Sequence, residues 1–197
     1  MGSVLADGIT RIKNAAREPE IVDLANCLNA MGAKITGMGT SIIAIEGVKE
    51  LHSAEYQVMG DRIEAASYMI GALMTDGDLT ITGLDFYNTA ENVIEKLIDI
   101  GAEITKIDDK TIRIKRGKEK LKPVNITTGV YPGFATDFQA QIMTLLAMID
   151  GDSIVDETVF ENRFLHVPEL NRMNANIVIT GNKAVVHGKE DVFKPAQ

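Results

Sequence analysis

The chain has 197 residues, 45% of them hydrophobic, with 28 acidic and 20 basic side chains and a net charge of −8. That size and composition suit one large or two small globular domains, and the acidic balance excludes a general nucleic-acid binder, which needs a basic stripe to displace counterions. No apolar run is long enough to cross a membrane and no signal peptide is read, while the single cysteine, Cys27, excludes an internal disulfide and a thiolate metal site, so the expectation is a cytoplasmic protein in a reducing compartment.

Taken in order, the first segment reads as an Asp7-Gly8 turn, a strand Ile9–Ile12, a helix Pro19–Met31 and a hairpin Lys34–Ile45. Glu18 and Glu20 flank Pro19 in the helix's first turn, where the dipole alone favours acids. Cys27 lies inside that helix and reads as a structural thiol rather than a nucleophile. A short strand Tyr56–Met59 follows. Asp61 is the expected cap of a helix Arg62–Met74, with Glu64 in the capping-box position. After Asp76-Gly77 come a strand Leu79–Leu84 and a helix Thr89–Ile100. Ala90, Val93, Ile94, Leu97 and Ile98 are expected on the buried face of that helix. Glu103–Ile107 and Thr111–Lys115 form a hairpin.

The same order recurs in the third segment. A strand Asn125–Thr127, a helix Asp137–Met148, an Asp150-Gly151 turn and a strand Ser153–Asp156 precede a helix Pro168–Met173. Strands Ile177–Thr180 and Ala184–His187 close it around a Gly181-Asn182 turn. The methionines at 69, 74, 143 and 148 follow helical spacing and read as core filler.

Three helices thus end at matched positions, Gly32, Gly101 and Asn174, residue types that tolerate the left-handed conformation. The steps from 32 to 101 and from 101 to 174 are 69 and 73 residues, which makes this a repeat. The predicted fold class is α+β, an inverted α/β repeat of tandem βαβαββ units. The first segment starts halfway through the unit, without a leading strand and helix. A repeat missing its covering helix is expected to leave an apolar surface or open strand edge for another chain or fragment to fill.

The stretch richest in chemistry runs from Tyr131 to Glu169. Thr136 and Gln139 fit a capping box, so Thr136 is the expected N-cap and Asp137 the first helical residue. A carboxylate there faces unpaired N–H groups and the positive end of the helix dipole. The loop Glu157–Pro168 adds Glu161, Asn162, Arg163 and His166 within six residues. Arg163 has Asp137, Asp156 and Glu161 as candidate partners, and a nearby cation keeps an acid ionised. By itself Asp137 reads as an ordinary helix-start acid. His52, His166 and His187 have no ligand spacing, so no metal is expected.

Four stretches carry a resemblance: AAREPEIVDLANCLNAMGAKI at 15–35, GDRIEAASYMIGAL at 60–73, ATDFQAQ at 135–141 and ETVFENRFLHVPELNRM at 157–173. They resemble the UDP-N-acetylglucosamine enolpyruvyl transferase (UDP-N-acetylglucosamine 1-carboxyvinyltransferase) family over nearly the whole chain. The FENRF-HVPEL loop separates this family from its shikimate-pathway relatives. The resemblance implies transfer of the enolpyruvyl group of phosphoenolpyruvate to the 3-hydroxyl of UDP-N-acetylglucosamine with release of phosphate. That is the first committed step of bacterial peptidoglycan synthesis, and so concerns cell wall biogenesis, cell shape and the cell division cycle. No cofactor is implied.

Family members are about twice this long, with two domains of three units each and the active site between them. By resemblance, residues 1–58 are the tail of one domain. Residues 59–197 are two repeats of the other, 59–124 and 125–197. Asp137 matches the aspartate at the sugar 3-hydroxyl, the catalytic base. Val159 matches a backbone contact to the nucleotide sugar. Arg163 matches an arginine that sets the acid's surroundings. Glu18, Glu20, Asp61 and Arg62 match positions near the cleft. The family's cysteine-bearing loop, lysine–asparagine pair and phosphate-gripping arginines have no counterparts here, and Cys27 is not that cysteine. The implied molecule is a piece of the enzyme, inactive alone, partnered by the missing half or a like chain. The alternative is a non-catalytic repeat fragment that self-associates.

Overall fold

The structure is a computed structural model that describes residues 1–196. Its contacts divide the chain into two units, Met1–Gly60 and Asp61–Gln197. The first holds β1 (Ile9–Lys13), α1 (Pro19–Ala30), β2 (Lys34–Thr36) and β3 (Ile42–Glu46), after a short 3-10 turn at Gly2–Leu5. Its sheet has the order β1-β3-β2, with β3 antiparallel to both neighbours. Ala25, Leu28, Ala33, Ile35, Ile43 and Ile45 form the core between α1 and the sheet. Cys27, a free thiol, is half-buried in α1. The expected strand Tyr56–Met59 is absent: this stretch has no regular structure. The Asp23 carboxylate holds it instead, accepting from the Tyr56 hydroxyl at 2.9 Å and the Met59 N–H at 3.2 Å.

The second unit contains two rounds of the same layout. The first comprises α2 (Arg62–Met74), β4 (Asp78–Thr82), α3 (Phe86–Thr89), α4 (Glu91–Ile100), β5 (Ala102–Asp108) and β6 (Thr111–Arg116). The second comprises β7 (Ile126–Thr127), α5 (Gln139–Ala147), β8 (Gly151–Asp156), α6 (Val167–Arg172), β9 (Ile177–Thr180) and β10 (Lys183–Gly188). The sheets run β4-β6-β5 and β7-β8-β10-β9. As with β3, the last strand of each round lies in the middle, antiparallel to both neighbours. Only the final round carries the leading parallel strand, β7 on β8, so the complete βαβαββ order appears once.

Each sheet buries one face. In β6, Ile112 and Ile114 point inward under α2, while the outward face is laced by cross-strand ion pairs, Asp78–Arg113 and Glu103–Lys115. Strand alternation gives this division directly. Backbone turns also fall where their residues permit. Gly32, Gly101 and Asn174 all have positive φ past their helices, and Gly8 and Gly151 do so in the Asp-Gly turns. In the middle turn Asp76, not Gly77, takes the left-handed conformation.

Two expectations about the middle helix change. Ala90, at φ −137°, interrupts it, dividing it into α3 and α4. Asp85 starts α3 by accepting from the Asn88 N–H and side-chain amide. Val93, Ile94, Leu97 and Ile100 fill the buried face, whereas Ile98 is half exposed; at about 3.6 residues per turn it falls beyond the edge of the stripe that Val93, Leu97 and Ile100 centre.

Candidate active site

The candidate site lies in the second unit, where the start of α5 meets the loop after β8. Thr136–Phe138 form a 3-10 turn that leads into α5. Asp137 therefore sits in that 3-10 turn, ahead of α5, and is not the first residue of the helix as expected; the first turn of α5 itself holds no acid. The capping box does not form. Ala135 stands at the N-cap and no side chain caps the turn. The Thr136 hydroxyl donates at 2.7 Å to Glu157 Oε2, and Gln139 is fully buried. Thr136 lies inside the turn rather than ahead of it, and the Gln139 N–H donates to its carbonyl instead, so the hydroxyl points to the carboxylate, where a charge-assisted bond is about twice as strong as a neutral one.

Arg163 reaches Asp137. Its Nη2 donates to Oδ1 at 2.9 Å, with the side chains 39% and 52% exposed. Of the three partners open to Arg163 from sequence, Asp137 is the one it pairs with. Its guanidinium also lies over the Phe160 ring, 5.2 Å from the centroid. That contact orients the planar fork toward the helix mouth. At such exposure the pair is worth about 0–1 kcal/mol to stability, so its value is geometric.

Glu157 organises the loop, and sequence reading missed it. It directly follows β8 and is 2% exposed. Its Oε1 accepts from the Thr128 hydroxyl at 2.9 Å and from the Val159 and Phe160 N–H groups at 2.9 and 3.1 Å. Burial alone would raise this carboxyl. The hydrogen bonds from Thr136, Val159, Phe160 and Thr128 outweigh that effect and hold it below the usual carboxylate range. Thr158 closes the bracket: its N–H donates to the Thr128 hydroxyl and its own hydroxyl to the Thr128 carbonyl. A threonine two residues after a strand end, facing an acid that begins a polar loop, was the only available signal.

The backbone of Val159 is thus fixed on the same carboxylate that holds Thr136, next to Asp137. A cavity of about 290 Å³ opens beside it, lined by Glu157, Phe160, Asn162, Arg163 and Asn182 among others. Asn182 donates to the Asp156 carboxylate at 2.9 Å, so the β9–β10 turn forms part of the wall. A larger open groove of about 640 Å³ along α2 shares no lining residue with it. His166 packs its Nε2 3.3 Å from Met143 Sδ, and burial, with Arg163 nearby, lowers its pKa.

Asp61 caps α2, accepting from the Ile63 and Glu64 N–H groups at 2.8 and 3.1 Å. Arg62 is buried, with its guanidinium over the rings of Tyr131 and Phe138 at 5.8 and 5.9 Å. Phe138 adjoins Asp137, so Arg62 underlies the same turn. Glu18 and Glu20 belong to the first unit, before and within the first turn of α1. The structure therefore brings together Asp137 and Arg163, links them to Val159 through Glu157, and backs them with Arg62. Among the described residues no group of three His, Cys, Asp or Glu is placed to hold a metal, and no helix is long and apolar enough to cross a membrane.

Comparison with known proteins adds three findings. The family described as EPSP synthase (3-phosphoshikimate 1-carboxyvinyltransferase) matches residues 1–197. UDP-N-acetylglucosamine 1-carboxyvinyltransferase of Rickettsia bellii is 52% identical over 188 residues, covering 95% of this chain and 44% of the relative. UDP-N-acetylglucosamine 1-carboxyvinyltransferase 2 of Carboxydothermus hydrogenoformans is 52% identical over 192 residues, covering 98% and 46%. The chain thus spans less than half the length of these curated relatives. In fold it matches the enolpyruvyl transferase NikO from Streptomyces tendae, with a TM-score of 0.85 at 23% identity over 99% of this chain and 46% of that one. It also matches EPSP synthase from Acinetobacter baumannii, with a TM-score of 0.67 at 20% identity, covering 96% and 44%.

Proposed function

This chain belongs to the EPSP synthase (3-phosphoshikimate 1-carboxyvinyltransferase) family, and from that premise we propose that it forms the sugar-nucleotide side of a UDP-N-acetylglucosamine 1-carboxyvinyltransferase. In this reading UDP-N-acetylglucosamine binds at the start of α5 and the 157–163 loop, and phosphoenolpyruvate is the second substrate. The reading places the chain in peptidoglycan synthesis, in the cytoplasm, with the consequences for cell shape and division that wall synthesis has.

The observation that carries the reading is the Asp137–Arg163 pair at 2.9 Å. The chemistry needs a base to take the proton from the sugar 3-hydroxyl as its oxygen attacks C2 of phosphoenolpyruvate. Asp137 is that base. Arg163 engages Oδ1 and orients the carboxylate, leaving Oδ2 to receive the proton. Val159 contributes its backbone to the nucleotide sugar, held by the Glu157 carboxylate. Arg62 supports the turn under Asp137 and Asp61 fixes the start of α2. Glu18 and Glu20, in the first unit, are substrate-binding residues of the complete enzyme on the resemblance alone. The acid that protonates the methylene carbon and the cations that hold the phosphate have no counterpart in this chain, so the reading requires the remainder of the enzyme for turnover.

Titration of isotope-labelled chain with UDP-N-acetylglucosamine tests this. Resonance shifts centred on Asp137, Val159 and Arg163 are expected, with no phosphate release when phosphoenolpyruvate is added. Shifts elsewhere, or none, would defeat the reading, and phosphate release would defeat the requirement for the missing part.

A second reading rests on Ile12, which is 42% exposed although it lies on the inner face of its sheet, whereas Val155 at the matching register in β8 is 0% exposed. In this reading the uncovered inner face of β1 at Ile12 is a contact surface for a like chain. Light scattering separates the two: concentration-dependent mass that UDP-N-acetylglucosamine does not change favours self-association.

A further inference from the structure

Glu157 is the most heavily hydrogen-bonded buried acid of the second unit, and all four of its donors are neutral. Two are hydroxyls, Thr128 and Thr136, and two are the N–H groups of Val159 and Phe160. These donors come from both sides of the candidate site. Thr136 directly precedes Asp137 at the mouth of α5. Val159 and Phe160 begin the loop that carries Arg163. Glu157's own N–H donates to the Asn182 carbonyl at 2.8 Å, which secures the same residue to the β9–β10 turn. A single carboxylate therefore connects the acid-bearing turn, the loop backbone and one wall of the cavity.

We propose that Glu157 is a positioning residue of the sugar-nucleotide site, setting the distance between Asp137 and the Val159–Phe160 backbone; the functional half of this statement rests on the proposed function above. The physical reason is the asymmetry of buried hydrogen bonding. An ionised carboxylate accepts four bonds without conflict, and removal of its charge weakens all of them together. An amide at this place keeps one acceptor oxygen, forces the Thr136 hydroxyl to turn from donor to acceptor, and loses the charge that strengthens every one of these bonds. Thr136 is the second contact that matters, since its hydroxyl links this carboxylate to the helix mouth. Glu157 acts through Thr136 and the loop backbone, so its effect is on where Asp137 and the loop stand, not on proton transfer itself.

The experiment uses the full chain and three variants, Glu157→Gln, Thr136→Val and Thr136→Ser. Two quantities are measured: amide hydrogen exchange at Val159 and Phe160 without ligand, and affinity for UDP-N-acetylglucosamine. Glu157→Gln is expected to speed exchange at both amides at least tenfold. Glu157→Gln and Thr136→Val are each expected to weaken the sugar nucleotide at least tenfold. Thr136→Ser keeps the hydroxyl and is expected to match the parent within about twofold, a rescue that general packing damage would not produce. Unchanged exchange in Glu157→Gln overturns the clamp. Faster exchange with parental affinity in both variants overturns the positioning role. A parent chain that binds no UDP-N-acetylglucosamine overturns the functional reading instead, and the exchange rates alone then decide whether Glu157 holds the loop.

Discussion

Asp137 and Arg163 form a pair whose proposed value is geometric rather than energetic. Their pair is partly exposed, so Asp137→Asn is expected to shift thermal stability by no more than about 1 kcal/mol. If Asp137 is the base proposed above, the same change lowers turnover of the complete enzyme by about 10²-fold or more; calorimetry beside a phosphate-release assay reads both. His166 gives a pH test. Burial and the neighbouring Arg163 lower its pKa in the folded chain, so folding favours the neutral ring. Its contribution is present above the unfolded value of about 6.5 and is lost as pH falls through the lower folded value. His166→Gln is therefore expected to show a smaller drop in melting temperature between neutral and mildly acidic pH than the parent. Glu157 adds a second loss at lower pH. Its folded carboxyl is depressed, so its contribution holds above the ordinary carboxylate value and disappears as pH drops through the depressed one.

At the scale of elements, caps and turns do as their residue types allow. The two N–H groups that Asp61 satisfies at the start of α2 predict a cost of about 0.5–2 kcal/mol for Asp61→Ala, seen as a lower urea midpoint with an unchanged slope. The start of α5 behaves differently. Thr136-x-x-Gln139 has the pattern of a capping box, yet the threonine turns to an acid 21 residues away. Local pattern ranks the possible partners of a hydroxyl only while no buried charge competes for it. The strand expected at Tyr56–Met59 failed for a related reason. Extended residues become a strand only beside a partner edge, and the Asp23 carboxylate holds this segment in place of one.

At the scale of the whole molecule, the second unit has its own core, with Leu97, Ile100, Ile114, Leu145 and Val186 fully enclosed. Burying each such side chain contributes about 1.5–3 kcal/mol. Residues 61–197 expressed alone are expected to melt in one cooperative transition, and Leu97→Ala to destabilise that unit by about 2–5 kcal/mol; a broad, non-cooperative melt would show that the unit does not fold by itself. The sequence by itself determined the α+β repeat, the glycine and asparagine that end its helices, the Asp61 cap and a short set of partners for Arg163. These depend on periodicity and on backbone conformations that few residues adopt, both of which act within a handful of positions. Only the tertiary structure decided that Asp137 is the partner, that Ile98 faces out, and that Glu157 gathers Thr128, Thr136, Val159 and Phe160. Those outcomes depend on which groups meet when strand β8 and helix α5 pack, where desolvation of one carboxylate outweighs every local preference around it.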